Sequence, residues 1–319
     1  MADWAAREFA AWNGVRLRGV DDSLRQLAQS DDSVFFFDLG PAGVRCHDKP
    51  SASPLHRTRQ ALYRAFLERV LDRAELDGQR TIAISLADRS ASRHGLPVFE
   101  YQKQRGAPSL LLPDVDLLAT GFFAGPDYID PVGFEEKRPE VLFVGATTGG
   151  RLTADIVRSL EHPRLRAAMF FRDKPGVTFE LPEIVQCDTE ETVALIASLG
   201  LGSRRRPWSD HHAYRYLLSI DGNGANCSRV ALGLRGQGVL MKYNSPYQLF
   251  YFYGLEAWRH YLPVRRDDDV IALLDQSAEA VDRDRRIAED SAGFARDHLN
   301  EAACVDYTAA LLSLYFRSF

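Results

Sequence analysis

Cysteine is scarce in this chain and its spacing is wrong for metal or redox motifs. The 319 residues hold four cysteines, Cys46, Cys187, Cys227 and Cys304, and no two of them form a CxxC pair. A zinc ribbon or a thioredoxin-type motif is thereby excluded, and reduced thiols in a cytosol are the expectation rather than a disulfide frame. Long apolar runs are missing too. No window approaches the ~18 consecutive apolar residues that a membrane-spanning helix needs. The N-terminus, MADWAAREFAAWNGVRLRG, has neither the apolar core nor the cleavage signature of a secretory leader. No sign of charge dominates: Lys and Arg number 39, Asp and Glu 44, and the net charge is −5. That field does not favour nucleic acid. Internal repeats and low-complexity segments are absent.

What is present is an ordinary globular composition, 45% hydrophobic and 26% charged, in a chain long enough for two domains. Apolar runs alternate with amphipathic stretches, which implies an α/β fold in two halves. The first half carries strands at Val34–Phe37, Val44–Cys46, Thr81–Leu86, Leu96–Tyr101 and Ser109–Leu112, and a helix over Leu55–Leu76. On that helix Leu62, Ala65, Phe66 and Val70 face the sheet, while Arg57, Arg59, Arg64 and Arg69 face solvent. Residues 119–139, rich in Gly, Pro and aromatics, form the crossover. The second half restarts at Glu140–Val144. Strands are expected over Arg164–Phe171, Thr178–Val185 and His260–Val264, and helices over Leu152–Leu160, Glu190–Leu199, Pro246–Tyr253, Asp267–Val281 and Asp284–His298. A last helix places Cys304, Thr308, Leu311, Leu312 and Tyr315 on one side.

The organising stretch runs from Tyr214 to Tyr243, YRYLLSIDGNGANCSRVALGLRGQGVLMKY. A short apolar strand is broken by Asp221, Gly222, Asn223 and Gly224, residues that tolerate tight turns. Asn226 or Ser228 caps a helix running to about Arg235, Gly236 closes it, and a second strand begins at Val239. In a parallel sheet such a unit turns a helix N-terminus and Arg229 toward the crevice at the strand ends, which suits an anion such as a diphosphate. A second strand–loop–helix junction, Gly145-Ala146-Thr147-Thr148-Gly149-Gly150, lacks the Gly-Lys-Ser/Thr ending of a P-loop. Asp88, after the strand ending at Leu86, sits where ligands meet an open α/β sheet.

Other polar clusters have plain structural readings. Asp114-Val115-Asp116 matches a DxD metal motif but has no second ligand cluster nearby. Asp267-Asp268-Asp269 sits at a helix start, where carboxylates favour the macrodipole. His211 and His212 are adjacent and point apart on a helix. Arg204-Arg205-Arg206 reads as a solvated basic loop, with an anionic acceptor or membrane surface as the alternative.

The second half resembles glycosyltransferase family 90, the family of protein O-glucosyltransferases and of lipopolysaccharide- and capsule-modifying enzymes. The resemblance rests on DHHAYRYLLSIDGNG, the SR pair, and GVLMKYNSPYQLFYFYGLEAWRHYLPV, with Tyr214, Tyr216, Asp221, Gly222, Asn223, Ser228, Arg229, Lys242, Tyr247, Phe250, Tyr251, Trp258, His260, Tyr261, Pro263, Val264, His298 and Leu299 at the matching positions. FVGATTG is similar to the family's WRGSTTG block, with Val144 in place of the arginine. It implies a GT-B fold, two Rossmann-like domains facing a central cleft, with an acceptor-side domain at 1–135 and a donor domain at 136–319 whose terminal helices pack back on the first. It also implies inverting transfer of a glucose- or xylose-like sugar from a UDP-sugar, with no metal and no cofactor. By this resemblance Asp88 is the catalytic base. The donor would contact Gly145, Thr147, Thr148, Asp221, Asn226, Cys227, Ser228, Arg229 and Lys242. Arg89, Arg151 or Arg172 would replace the missing arginine. The implied partners are a nucleotide-sugar donor and a glycan or lipid-linked glycan acceptor of lipopolysaccharide or capsule type, in a bacterial cytoplasm, with peripheral membrane contact. A non-catalytic nucleotide-sugar or glycan-binding protein on the same scaffold, and a metal-dependent transferase using the DxD segment, are the rival readings.

Overall fold

The structure, a computed structural model, describes residues 1–15, 20–74, 78–88, 95–202 and 204–319. The elements in chain order begin with α1 (Ala2–Phe9), α2 (Val20–Ser30), β1 (Val34–Gly40), β2 (Gly43–Cys46), α3 (Pro54–Leu71), β3 (Arg80–Ser85), β4 (Phe99–Glu100), β5 (Lys103–Gln104), β6 (Leu110–Leu111) and α4 (Val115–Ala119). They continue with β7 (Arg138–Ala146), α5 (Ala154–Ser159), α6 (Pro163–Phe171), β8 (Val177–Glu183), α7 (Glu190–Ser198), α8 (Trp208–His211), β9 (Tyr214–Ser219), α9 (Cys227–Arg235) and β10 (Val239–Tyr243). The last are β11 (Tyr247–Gln248), β12 (Leu262–Val264), α10 (Asp267–Asp275), α11 (Val281–His298) and α12 (Glu301–Ser318). The chain divides into two compact units: unit 1 is Met1–Phe123, Pro246–Leu255 and Asp297–Phe319, and unit 2 is Ala124–Ser245 and Glu256–Arg296. No described helix is long and apolar enough to cross a membrane.

Unit 1 holds a mixed sheet in the order β2-β1-β3-β4-β6. Strands β3, β4 and β6 are parallel, while β1 runs antiparallel to both β2 and β3. The antiparallel edge follows from the tight turn at Pro41-Ala42, with Gly40 paired to Gly43 across the hairpin. Helix α3 buries Tyr63, Phe66, Leu67 and Val70. Arg59, one turn before Tyr63, lies on that same face, so its side chain is only 12% exposed and not solvated as the charge pattern suggested. Glu8 of α1 is buried and fully committed: it accepts from Lys103, from the Leu111 N–H and from the Tyr253 hydroxyl. The segment expected to be one aromatic helix over Pro246–Tyr253 is instead β11, paired antiparallel with β5, followed by a 3-10 turn at Phe250–Tyr253.

Unit 2 holds an all-parallel sheet in the order β12-β10-β9-β7-β8. Its strands read as apolar runs because both faces are covered; every residue of β9 and β10 is buried. Counted from β7, the order is second-first-third-fourth-fifth, so the winding reverses between β7 and β9. That reversal opens a crevice at the carboxyl ends of these two strands. The stretch Arg164–Phe171, expected as a strand, is helix α6. His162 caps it by accepting from the Leu165 N–H, Pro163 takes the first helical position, and Leu165, Ala168 and Phe171 are buried at helical spacing. The helix expected over Asp267–Val281 breaks into α10 and the start of α11.

Phe143 of β7 is fully buried and stacks on Phe179 of β8 at 4.3 Å between ring centroids. Phe143→Ala is expected to cost about 3–5 kcal/mol of stability in urea denaturation. A loss below ~1 kcal/mol would mean that the ring is not packed as described.

Candidate functional site

The residues at the β7/β9 reversal form one cluster. Gly145 and Ala146 end β7, and Thr147-Thr148-Gly149-Gly150 follows. Asp221-Gly222-Asn223 follows β9, and α9 begins at Cys227. Two guanidiniums occupy the space between the strand ends. Arg229, from the first turn of α9, donates through Nη2 to the Val144 carbonyl and lies 4.5 Å from the centre of the Phe143 ring. Arg164, from the first turn of α6, lies 5.4 Å from the same ring. It donates to the carbonyls of Ala146 (2.8 Å), Ile220 (3.0 Å) and Asp221 (3.0 Å) and to the Thr148 hydroxyl (2.8 Å).

Among the described residues neither guanidinium is in an ion pair. The nearest compensating charge is the Asp221 carboxylate, which acts on Arg164 through space. The Nε and Nη1 of Arg229 are buried with no hydrogen-bond partner. Burial, then the charge of Arg164, pushes the Arg229 guanidinium down to about 9, and burial pushes Arg164 down to about 10. Two neighbouring cations, one of them with buried unused donors, are costly, and an anion is what relieves that cost. His211 stands beside them. Its Nδ1 lies 3.2 Å from the Pro207 carbonyl, so Nδ1 carries the proton and Nε2, which has no partner, is an acceptor. Its ring stacks on Trp208, and burial together with Arg229 lowers its pKa to about 4.

Each sequence-predicted donor residue has a definite place. Gly145 lies against Phe143 and Arg164. Thr147 is fully buried and commits its hydroxyl to the N–H and carbonyl of Val185, while Thr148 accepts from Arg164. Asn226 stands at the start of α9 but does not cap it; its Nδ2 donates to the Ile220 carbonyl at 3.4 Å. Cys227 is buried and Ser228 half-buried in the first turn of the same helix. Lys242 is buried within β10 rather than solvated at a strand end, with its Nζ 3.3 Å from the Tyr243 carbonyl. Asp88 belongs to unit 1, three residues beyond β3. Its carboxylate accepts from Arg59 (2.7 Å) and from the Tyr101 hydroxyl (2.6 Å). Arg59 also donates to the Leu86 carbonyl, which fixes the backbone leading to Asp88.

None of the three arginines expected to stand in for the missing one is seen in this cluster. Arg151 is exposed, Arg172 donates to the Leu199 carbonyl, and Arg89 lies outside the described residues. The cation at the strand end is Arg164. Its segment has the apolar pattern of a strand, and His162-Pro163 is the sequence signal of a helix start that places it. Gln186 was missed as well. It has a left-handed backbone (φ 63°), accepts from the N–H groups of Gly149 and Gly150, and donates to Asn223. It thereby ties the loop after β7 to the loop after β9. In the DxD segment Asp114 caps α4 by accepting from Asp116 and Leu117 N–H groups. Arg205 and Arg206 pair with Glu183 and Glu180 rather than standing free.

Glycine is required where the loops meet. A Cβ on Gly222 would lie 2.5 Å from the Thr148 Oγ1 and 2.8 Å from the Arg164 Nη2. A Cβ on Gly149, whose φ is 141°, would lie 2.8 Å from the His162 Nε2. Gly222→Ala is therefore expected to displace Arg164 and cost about 1–3 kcal/mol in chemical denaturation.

The site also predicts a pH response. Burial and the neighbouring Arg164 lower the His162 pKa to about 4, as burial and Arg229 do for His211. A histidine held neutral in the fold binds its proton in the unfolded chain first, so its stabilisation is full above about pH 6.5 and is lost as pH falls toward 4. Replacing His211 by Gln should flatten the decline in urea stability across that window, by up to about 3 kcal/mol relative to the parent. Parallel pH curves would show that His211 is not held neutral.

The model of the Glycosyl transferase family 90 matches residues 134–318. Human Protein O-glucosyltransferase 3 is 28% identical over 107 residues, 33% of this chain and 21% of that protein. Protein O-glucosyltransferase 2 of Danio rerio is 29% identical over 107 residues, again 33% and 21%. The match thus spans about a fifth of the length of these curated relatives. Among solved structures, the crystal structure of Anabaena HepE in complex with UDP-glucose aligns over 80% of this chain and 77% of that one, at 13% identity and a TM-score of 0.41.

Proposed function

The chain belongs to glycosyltransferase family 90, and we propose that it moves a sugar, glucose- or xylose-like, from a UDP-sugar to a hydroxyl of a glycan acceptor. The observation that carries this reading is the Arg164–Arg229 pair at the β7/β9 reversal, two guanidiniums with no ion-pair partner among the described residues, of which Arg229 keeps two buried nitrogens without a hydrogen-bond partner. A nucleoside diphosphate is an anion whose charge grows as the glycosidic bond to it breaks. Donors already aimed at that charge stabilise the transition state more than the ground state. The first turn of the nine-residue helix α9 adds its partial positive charge.

Under this proposal Arg164 takes the role of the arginine replaced by Val144. Arg229, the main chain of Asn226 to Ser228, and Thr148 complete the diphosphate cradle, while Thr147 and Gln186 hold its loops. Two guanidiniums and a helix N-terminus supply the charge that a divalent ion supplies elsewhere, so the reaction is metal-independent and needs no cofactor. Asp88 is the base that takes the acceptor proton as its oxygen attacks the anomeric carbon on the face opposite the leaving diphosphate, and the configuration inverts. Arg59 and Tyr101 orient that carboxylate. The GT-B architecture belongs to the same reading, with the donor on the C-terminal half. The proposed acceptor is a lipopolysaccharide- or capsule-type glycan, met at the cytoplasmic face of the membrane.

Calorimetry with UDP and turnover of UDP-glucose in excess EDTA test the proposal. Arg164→Ala and Arg229→Ala should each weaken UDP by about tenfold to a hundredfold, the value of charge-assisted hydrogen bonds. Asp88→Asn should keep UDP affinity and lower transfer by roughly 10²–10⁴-fold. UDP affinity unchanged in both arginine variants sinks the donor site. UDP binding without turnover on any glycan favours a nucleotide-sugar-binding protein, and activity lost in EDTA removes the metal-free mechanism.

A further inference from the structure

Unit 2 carries a second concave surface that the diphosphate cradle does not use. It is a groove of about 430 Å³ between the edge strand β12 and helix α10, lined by Trp258, Pro263, Arg265, Asp269, Leu273 and Gln276. Two strands, β10 and β9, separate β12 from β7, so the groove lies at the opposite side of the sheet's switch point.

We propose that this groove is a carbohydrate subsite in which one pyranose ring of a glycan stacks on the Trp258 indole. Trp258 is 54% exposed, and its backbone is left-handed at φ 67°. Both features are unfavourable: a large apolar ring faces water, and a bulky side chain sits in a region that only glycine occupies freely. Yet the surrounding structure enforces them. The Trp258 N–H donates to the Tyr261 carbonyl at 2.8 Å, and a bridge joins Ala257 to Tyr261. A strained residue held so that it displays an aromatic face is the pattern of a ligand platform rather than of packing.

The rim fits a sugar better than a peptide or a lipid. Apart from the indole, the apolar lining is limited to Pro263, Ala272 and Leu273. The polar lining alternates donors and acceptors, as sugar hydroxyls do. Arg265 and Asp269 are fixed to each other: the Asp269 carboxylate accepts from the Arg265 N–H at 2.8 Å and from its Nε at 3.3 Å. The Arg283 guanidinium, anchored by Asp284, lies over one face of the indole at 5.7 Å from its centroid, so the pyranose is assigned to the opposite face. A pyranose offers a flat C–H face for the ring and a belt of hydroxyls for the rim, which is the mix of apolar wall and few placed polar groups that small-ligand pockets present. Pro263, which cannot donate to a further strand, argues against an added β-strand on this edge.

The class of ligand rests on the sugar-transfer reading; the groove itself does not. The full chain is titrated with maltotetraose, cellotetraose and xylotetraose by tryptophan fluorescence and calorimetry, and separately with UDP. At least one oligosaccharide should give a saturable change. Trp258→Gly, which removes the ring and suits the left-handed backbone, should weaken that binding at least about tenfold. Its melting temperature and its affinity for UDP should stay close to the parent's. Gln276→Ala should weaken the same oligosaccharide by a smaller factor. The proposal is overturned if none of the three saturates up to about 50 mM, the weak end of useful affinity, or if Trp258→Gly binds as well as the parent. It is also overturned if Trp258→Gly loses UDP, which would assign the indole to the nucleotide base. Oligosaccharide binding that persists where the parent fails to bind UDP would refute the donor site and leave this subsite standing.

Discussion

Two like charges held at one end of a parallel sheet without an ion-pair partner among the described residues are the constraint on which unit 2 is built. Nothing in folding favours that arrangement. Burial and the charge of Arg164 lower the affinity of Arg229 for its proton, burial does the same to Arg164, and their donors meet carbonyls, the Thr148 hydroxyl or nothing. The carbonyls at the ends of β7 and β9 hold the guanidiniums in place, and the Phe143 ring beneath them offers its negative face. The cost is borne by a large core in which Phe143, Phe171 and Phe179 stack.

The loops around the pair are shaped by the need to keep it there. Gly222 gives the Thr148 hydroxyl and Arg164 room to meet. Gln186 spans from the segment after β8 to both neighbouring loops, so the crevice walls are held by three side-chain bonds of one residue. Thr147 ties the first loop back to Val185. These contacts are ordinary in strength, about 1 kcal/mol each, but they remove the freedom that two mutually repelling cations would otherwise use to part.

Unit 1 solves a different problem with a similar device. Arg59 reaches from a buried helix face to the segment after β3, and there it meets an acid, Asp88, with Tyr101 on the same oxygen. Unit 1 thus holds an acid whose hydrogen-bond partners are supplied, while the two cations of unit 2 are in no ion pair among the described residues.

Local sequence determined a good deal. The apolar runs at Val34, Thr81, Glu140, Tyr214 and Val239, and the turn DGNG before a helix, mark the strands and the junction at α9, because pattern and turn chemistry act over a few residues. Arg229 was legible for the same reason. Segments whose neighbours decide their state were not. Arg164–Phe171 carries residues that suit either element, and only packing of Leu165 and Phe171 against the sheet makes it a helix. Tyr247–Gln248 pairs with Lys103–Gln104, more than a hundred residues away, which no window could reveal. The antiparallel pairing of β1 with β3, the burial of Arg59, and the meeting of Arg164 with Arg229 belong to tertiary structure alone. Each depends on which surfaces are brought together, and the sequence specifies that only through the free energy of the whole fold.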